Sequence, residues 1–224
     1  MAVRFINPFM VVPGSLLLEI TGTATYQSSA DATSHTLNLP SGIVAGERLL
    51  LVIGKSSTLA QNCTTPAGWT QLINENQAQG ALHVYTRIAD GSEGATLSLT
   101  TSAATAVCCM AFRMKNAASA TGPAIGTTAT GSSTAPNPPS LTPSWGSARN
   151  LWIAFGGIRS TAATVSAWPT GYTNNQTSLA STGGTTNRLF LATKYATGTV
   201  DDPATFTLSA SVSWRSNTLA VRPV

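Results

Sequence analysis

Residues 65–70 read Thr-Pro-Ala-Gly-Trp-Thr and residues 168–173 read Trp-Pro-Thr-Gly-Tyr-Thr, a Pro-x-Gly-aromatic turn that occurs twice in one chain. The likeness extends outward in both directions. Upstream, the apolar run Leu49-Leu50-Leu51-Val52-Ile53 follows Glu47 and Arg48, and Leu151-Trp152-Ile153-Ala154-Phe155 comes after Arg149 and Asn150. Downstream, residues 81–91 (ALHVYTRIADG) match residues 188–198 (RLFLATKYATG), Leu97 and Leu99 match Phe206 and Leu208, and Met110-Ala111-Phe112-Arg113 matches Leu219-Ala220-Val221-Arg222. The offset grows from about 101 to about 109 residues along the repeat, as small loop insertions between strands would produce. The reading is of two sequence-related halves, residues 20–115 and 125–222, separated by the Gly, Pro, Ser and Thr-rich stretch 117–139.

Each half reads as short strands between turn clusters. Leu97 and Leu99 alternate with Thr and Ser, as do Phe206 and Leu208, the period of a strand with one buried face. The runs 49–53 and 151–155 are apolar without alternation, so they read as strands buried on both faces. Pro66 and Gly68 mark a chain reversal before Trp69, whose ring caps a core. The expected fold is all-β, an antiparallel, jelly-roll-like β-sandwich over residues 20–224 led by an extended N-terminal arm over residues 1–19. One sandwich built from both halves is preferred to two small tandem sandwiches. The spacer aligns with the opening of the first half, Ile125-Gly126-Thr127-Thr128 with Ile20-Thr21-Gly22-Thr23, so a strand is expected inside it.

Composition removes several classes of function. With 42% hydrophobic and 9% charged residues the chain of 224 residues is too apolar for disorder. Its net charge of +4 comes from basic residues scattered singly, without the clustered stripe that a nucleic-acid groove needs, so no nucleic-acid partner is expected. The three cysteines lack metal spacing, and Cys108 and Cys109, adjacent on a strand, point to opposite faces. No cofactor is expected.

The first residues carry Phe5, Ile6, Phe9, Met10, Val11, Val12, Leu16, Leu17 and Leu18. Pro8, Pro13, Gly14 and Glu19 interrupt them too often for a signal peptide or a membrane-spanning helix, so no membrane insertion is expected. Leaving these side chains in water forfeits on the order of 10 kcal/mol or more. They read either as a first strand of the same domain or as an arm that packs on another subunit, and the two prolines, each lacking a ladder donor, suit the arm.

Catalytic constellations are missing. His83 aligns with Phe190 and reads as a packing residue, His35 reads as exposed, and no nucleophile elbow or phosphate loop occurs. Asp90, Glu93, Asp201 and Asp202 fall in one inter-strand loop of the two halves, but Asp-Gly and Asp-Pro are ordinary turn chemistry. Basic residues recur at equivalent places, Arg48 with Arg149, Arg87 with Lys194 and Arg113 with Arg222, and read as strand-end or edge-guarding charges. Among the aromatic residues, Trp145 and Trp168 are the candidates for a ligand-facing platform, while Trp69, Trp152, Tyr172 and Trp214 read as core and corner packing.

The stretch 39–52 (LPSGIVAGERLLLV), the turn at 66–70, the segment 89–96 (ADGSEGAT) and the later stretch 141–148 (LTPSWGSA) resemble a group of β-sandwich proteins encoded in tailed-bacteriophage genomes. The resemblance covers nearly all of the chain after about residue 35, and Arg4-Phe5-Ile6-Asn7-Pro8 is similar to the start of other phage structural proteins. It implies a non-enzymatic virion component, either a capsid decoration protein or a tail or fibre-associated one, made in the bacterial cytoplasm. Its partners would be capsid or tail subunits and further copies of itself, reached through the N-terminal arm. It carries no catalytic motif. A glycan-binding adhesin module contacting host surface polysaccharide is the alternative expectation, and an enzyme acting through the loop carboxylates is a remote third.

Overall fold

In the computed structural model, residues 16–56, 60, 62–77 and 79–224 are described, and they form fourteen strands and no helix. The first half supplies β1 (Glu19–Gln27), β2 (Ala32–Asn38), β3 (Arg48–Ser56), β4 (Thr70–Asn74), β5 (Ala81–Ile88) and β6 (Thr96–Lys115). Two short strands arise in the spacer, β7 (Ala124–Ile125) and β8 (Ala129–Ser133). The second half continues with β9 (Ala148–Ile158), β10 (Val165–Ala167), β11 (Asn174–Ala180), β12 (Arg188–Gly198), β13 (Thr207–Leu208) and β14 (Val212–Val221).

Two six-stranded antiparallel sheets result, and they make a β-sandwich. One runs β1-β6-β3-β5-β4, the other β7-β14-β9-β12-β11, with β2 paired to β6 and β8 to β14. The apolar runs that follow Arg48 and Arg149 are the central strands, where both edges are hydrogen-bonded and both faces covered. Every residue of β3 is buried, and so is β9 from Asn150 onward. Such strands need no polar alternation because neither face meets water.

Three apolar layers hold the molecule together. The central one draws on both halves: Leu50, Val52, Leu82, Val84, Met110 and Phe112 from the first sheet pack against Leu151, Ile153, Phe155, Leu189, Leu191 and Leu219 from the second. On the far side of the first sheet, Leu51, Ile53, Tyr85 and Cys109 lie under Leu37, Leu39, Trp69 and Leu99. On the far side of the second, Trp152, Phe190 and Ala192 lie under Tyr172, Phe206 and Leu208. Strand β6 serves two layers, pairing with β2 over its first part and with β1 and β3 over its second. Its second-half counterpart is split into β13, which pairs with β10, and β14, which pairs with β9.

The repeated turn has one geometry in both halves. Trp69 N–H donates to the Pro66 carbonyl at 3.1 Å and Tyr172 N–H to the Pro169 carbonyl at 3.0 Å, with Gly68 at φ 77° and Gly171 at φ 81°. These are type II turns, which need a positive φ at their third residue. Proline therefore occupies the first turn position, not the second. Trp69 and Tyr172 are both buried.

Three expectations are corrected. The arm cannot extend to residue 19, because Glu19 is the first residue of β1, and Leu18 is already part of the central layer. His35 is not exposed but 1% accessible, with its ring edge-on to Tyr26 and its Nε2 3.1 Å from the Ala32 carbonyl. Arg48 guards no edge. It lies on a central strand, 3% accessible, and its guanidinium donates to Thr86 Oγ1 and to the carbonyls of Ala118, Ser119 and Thr121, tying the start of the spacer to the first sheet.

Candidate functional site

The described residues at the root of the predicted arm carry an exposed apolar pair. Leu16 and Leu17 are 61% and 59% accessible, whereas Leu18 is 2% accessible in the central layer. The root is fixed from both sides: Asn116 Nδ2 donates to the Leu17 carbonyl at 2.8 Å, and Lys115 pairs with Glu19 at 2.8 Å. Of the predicted docking residues, Leu18 is thus packed inside the sandwich, whereas Leu16 and Leu17 are exposed. Phe5, Ile6, Phe9, Met10, Val11 and Val12 lie outside the described residues.

Three of the four loop carboxylates, Asp90, Glu93 and Asp201, are engaged in their own halves, and Asp202 is exposed. Arg87 NH2 meets Asp90 at 2.8 Å and Glu93 at 3.0 Å, and Glu93 also accepts the N–H groups of Asp90 and Gly91. Asp90 accepts both the N–H and the hydroxyl of Ser92, and those hydrogen bonds hold its carboxyl below the usual range. In the second half Lys194, the counterpart of Arg87, pairs with Asp201 and lies 4.6 Å from the centre of the Tyr172 ring, whose hydroxyl donates to the same carboxylate. Burial and Asp201 together push the Tyr172 phenol up. Each acid-base set braces the loop after a repeat-equivalent strand, and the sequence register of Arg87 with Lys194 was the signal for it.

A buried polar cluster in the first outer layer was not legible in the sequence. His83 is wholly buried, and its Nδ1 stands 2.7 Å from Asn74 Oδ1. The Asn74 amide is oriented by Cys63, whose N–H donates to Oδ1 and whose carbonyl accepts from Nδ2. Oδ1 is therefore an acceptor, Nδ1 of His83 carries the proton, and Nε2 keeps a lone pair with no hydrogen-bond partner. Lys55 shares this face of the sheet, is wholly buried and donates to the Gln77 carbonyl at 3.5 Å. Burial, reinforced by Lys55, pushes His83 down to about 3, and burial pushes the Cys63 thiol up to about 12. A thiol so protonated is a poor nucleophile, so the cluster packs and does not activate Cys63.

Trp145 and Trp168 pack on the outer layer of the second half, both half-buried. The Trp145 indole N–H donates to Asn150 Oδ1 at 3.1 Å, and Trp168 meets the Phe206 ring edge-to-face with centres 5.9 Å apart. Two larger concavities lie elsewhere, both where the halves meet. One of 440 Å³ is lined by Gln77, Gln79, Thr130, Ser213 and Arg215, together with Gly131 and Trp214. The other, of 470 Å³, is lined by Glu19, Ile20, Tyr195 and residues 173–175.

No known protein family, curated protein or solved structure matches the chain. The functional reading therefore rests on the chain's own surfaces. Neither concavity was foreseeable from one half alone, because each joins segments more than 130 positions apart in sequence.

Proposed function

We propose that the protein is a non-enzymatic structural component of a tailed-bacteriophage virion, a capsid decoration protein or a tail or fibre-associated one, docked through its N-terminal arm. The observation that carries this reading is the pair Leu16 and Leu17, about three-fifths exposed at the root of an arm holding six further large apolar side chains. Burying a large apolar side chain contributes about 1.5–3 kcal/mol, so such a segment is most stable when another surface covers it. A neighbouring subunit of the particle or a second copy of the chain supplies that surface. The sandwich, with loop carboxylates braced by Arg87 and Lys194, suits a passive, solvent-facing body.

The test is incorporation. A truncation that removes residues 1–17 and keeps Leu18 preserves the central layer. It is expected to fold with unchanged denaturation behaviour and to be absent from purified particles. Wild-type levels of the truncated protein in particles would overturn the reading. Mass spectrometry of separated capsids and tails then assigns the location: hundreds of copies with capsids mean decoration, a few with tails mean a fibre or adsorption role.

A further inference from the structure

The 440 Å³ groove at the seam has a construction that packing alone does not require. Strand alternation on β14 turns Trp214 into the outer layer of the second half and sends Ser213 and Arg215 to the side facing the first half. Thr130 on β8 is directly opposite Arg215 and joins them on that face. Across the gap stand Gln77 and Gln79, from the connection between β4 and β5, both exposed.

Arg215 is held from behind. Its Nε donates to the Gln79 carbonyl at 3.2 Å and lies 3.8 Å from Glu75 Oε2. Glu75 is fixed in turn, since the same Oε2 accepts the Leu82 N–H at 2.9 Å and the Glu75 N–H donates to the Leu82 carbonyl. The restraint falls on the Nε edge of the guanidinium. NH1 and NH2 make no hydrogen bond among the described residues, and Arg215 lines the groove. A guanidinium pinned by one edge is pre-ordered to receive a planar oxyanion on the other, in the two-pronged manner of carboxylate recognition. Around it, two amides and two hydroxyls offer donors and acceptors in mixed order, the complement of vicinal hydroxyl groups. The volume lies within the range of small-molecule sites, and apart from Glu75 behind the arginine no carboxylate lines it to repel an anion.

We infer that the seam groove binds an acidic glycan, with Arg215 taking the carboxylate of a uronic-acid unit and Gln77, Gln79, Thr130 and Ser213 reading its hydroxyls. This is independent of arm docking, and it places a sugar site away from Trp145 and Trp168. Recognition there is polar, without ring stacking.

The test uses the full chain and a panel of uronic-acid oligomers, galacturonate, glucuronate and mannuronate trimers, with a neutral glucose trimer as control. Isothermal titration is expected to show binding of at least one acidic trimer over the neutral one. Arg215→Gln is expected to weaken it by roughly tenfold or more, the loss that follows from deleting a charged hydrogen-bond donor pair. Because Arg215→Gln also touches the seam, Ser213→Tyr is the second variant: the residue is exposed, and the added ring fills the groove without entering the core. It is expected to abolish binding with an unchanged denaturation midpoint. No acidic trimer binding to the wild type would overturn the inference. So would equal binding of the neutral trimer, or binding that both variants retain and Trp168→Ala removes.

Discussion

Gly80 and Gly157 touch backbone to backbone where the two halves meet: a Cβ on Gly157 would stand 2.7 Å from the Gly80 carbonyl oxygen, and one on Gly80 2.6 Å from the Gly157 carbonyl oxygen. The Gly157 backbone cannot retreat, since it sits in the ladder between β12 and β14. Gly157→Ala is therefore expected to destabilise by about 1–3 kcal/mol, the usual cost of overpacking. Gly122→Ala, where no atom lies within 4 Å, is the control and stays within about 0.5 kcal/mol. Urea denaturation of both variants checks the pair.

Arg48 satisfies three spacer carbonyls with one guanidinium. Arg48→Met keeps much of the stem but strands those acceptors, at an expected cost of about 2–4 kcal/mol. Hydrogen exchange is the direct readout. The amide of Ala118, which donates to the Arg222 carbonyl, is expected to lose protection while β3 keeps its own.

Acid sensitivity follows from His83. Its folded value of about 3 lies below the ordinary 6.5, so the folded state binds fewer protons than the unfolded one across that window. Stability is fully present above about pH 6.5 and falls as pH drops toward 3, by an amount on the order of a few kcal/mol. His83→Phe, which installs the residue found at the equivalent Phe190, is expected to flatten the decline when denaturation midpoints are compared from pH 3 to 7. A residual slope persists from Asp90, whose lowered carboxyl acts in the same direction, and from His35, lowered chiefly by burial.

All four tyrosines, Tyr26, Tyr85, Tyr172 and Tyr195, have phenols raised chiefly by burial. With folded values above the unfolded one of about 10, their contribution is intact below pH 10 and is lost as pH rises beyond it. The tyrosinate absorbance of the two wholly buried rings, Tyr85 and Tyr172, is expected to appear together with loss of β circular dichroism on an alkaline titration. Ionisation of more than two tyrosines well before unfolding would contradict their burial. Tyr172→Phe removes the hydrogen bond to Asp201 and is expected to cost about 1 kcal/mol, with Lys194 still holding the carboxylate.

What the sequence disclosed was what depends on local pattern. The uniform apolar runs at 49–53 and 151–155 are the central strands, the Pro-x-Gly-aromatic signals are turns, and the spacer contains β7 and β8. Cys108 and Cys109 do face opposite layers. What escaped it was set by tertiary partners. Arg48 resembles any strand-end cation until carbonyls 70 to 73 residues away close around it. His35 is polar in isolation and buried only because Tyr26 and the Ala32 carbonyl receive it. Leu18 belongs by composition to the arm and by packing to the central layer. Arg215 takes its Nε contacts from the other half, so the seam groove is invisible in either repeat alone.

The neighbouring cysteines give the molecule a built-in pair of reporters. Cys108 faces the layer shared by the two halves, while Cys109 faces the layer private to the first, which also holds Cys63. A thiol reagent reaches Cys108 only when the halves part, and reaches Cys109 only when the first half itself opens. The order in which two consecutive residues are labelled would thus tell separation of the halves from unravelling of one of them, in the native protein and without any engineered probe.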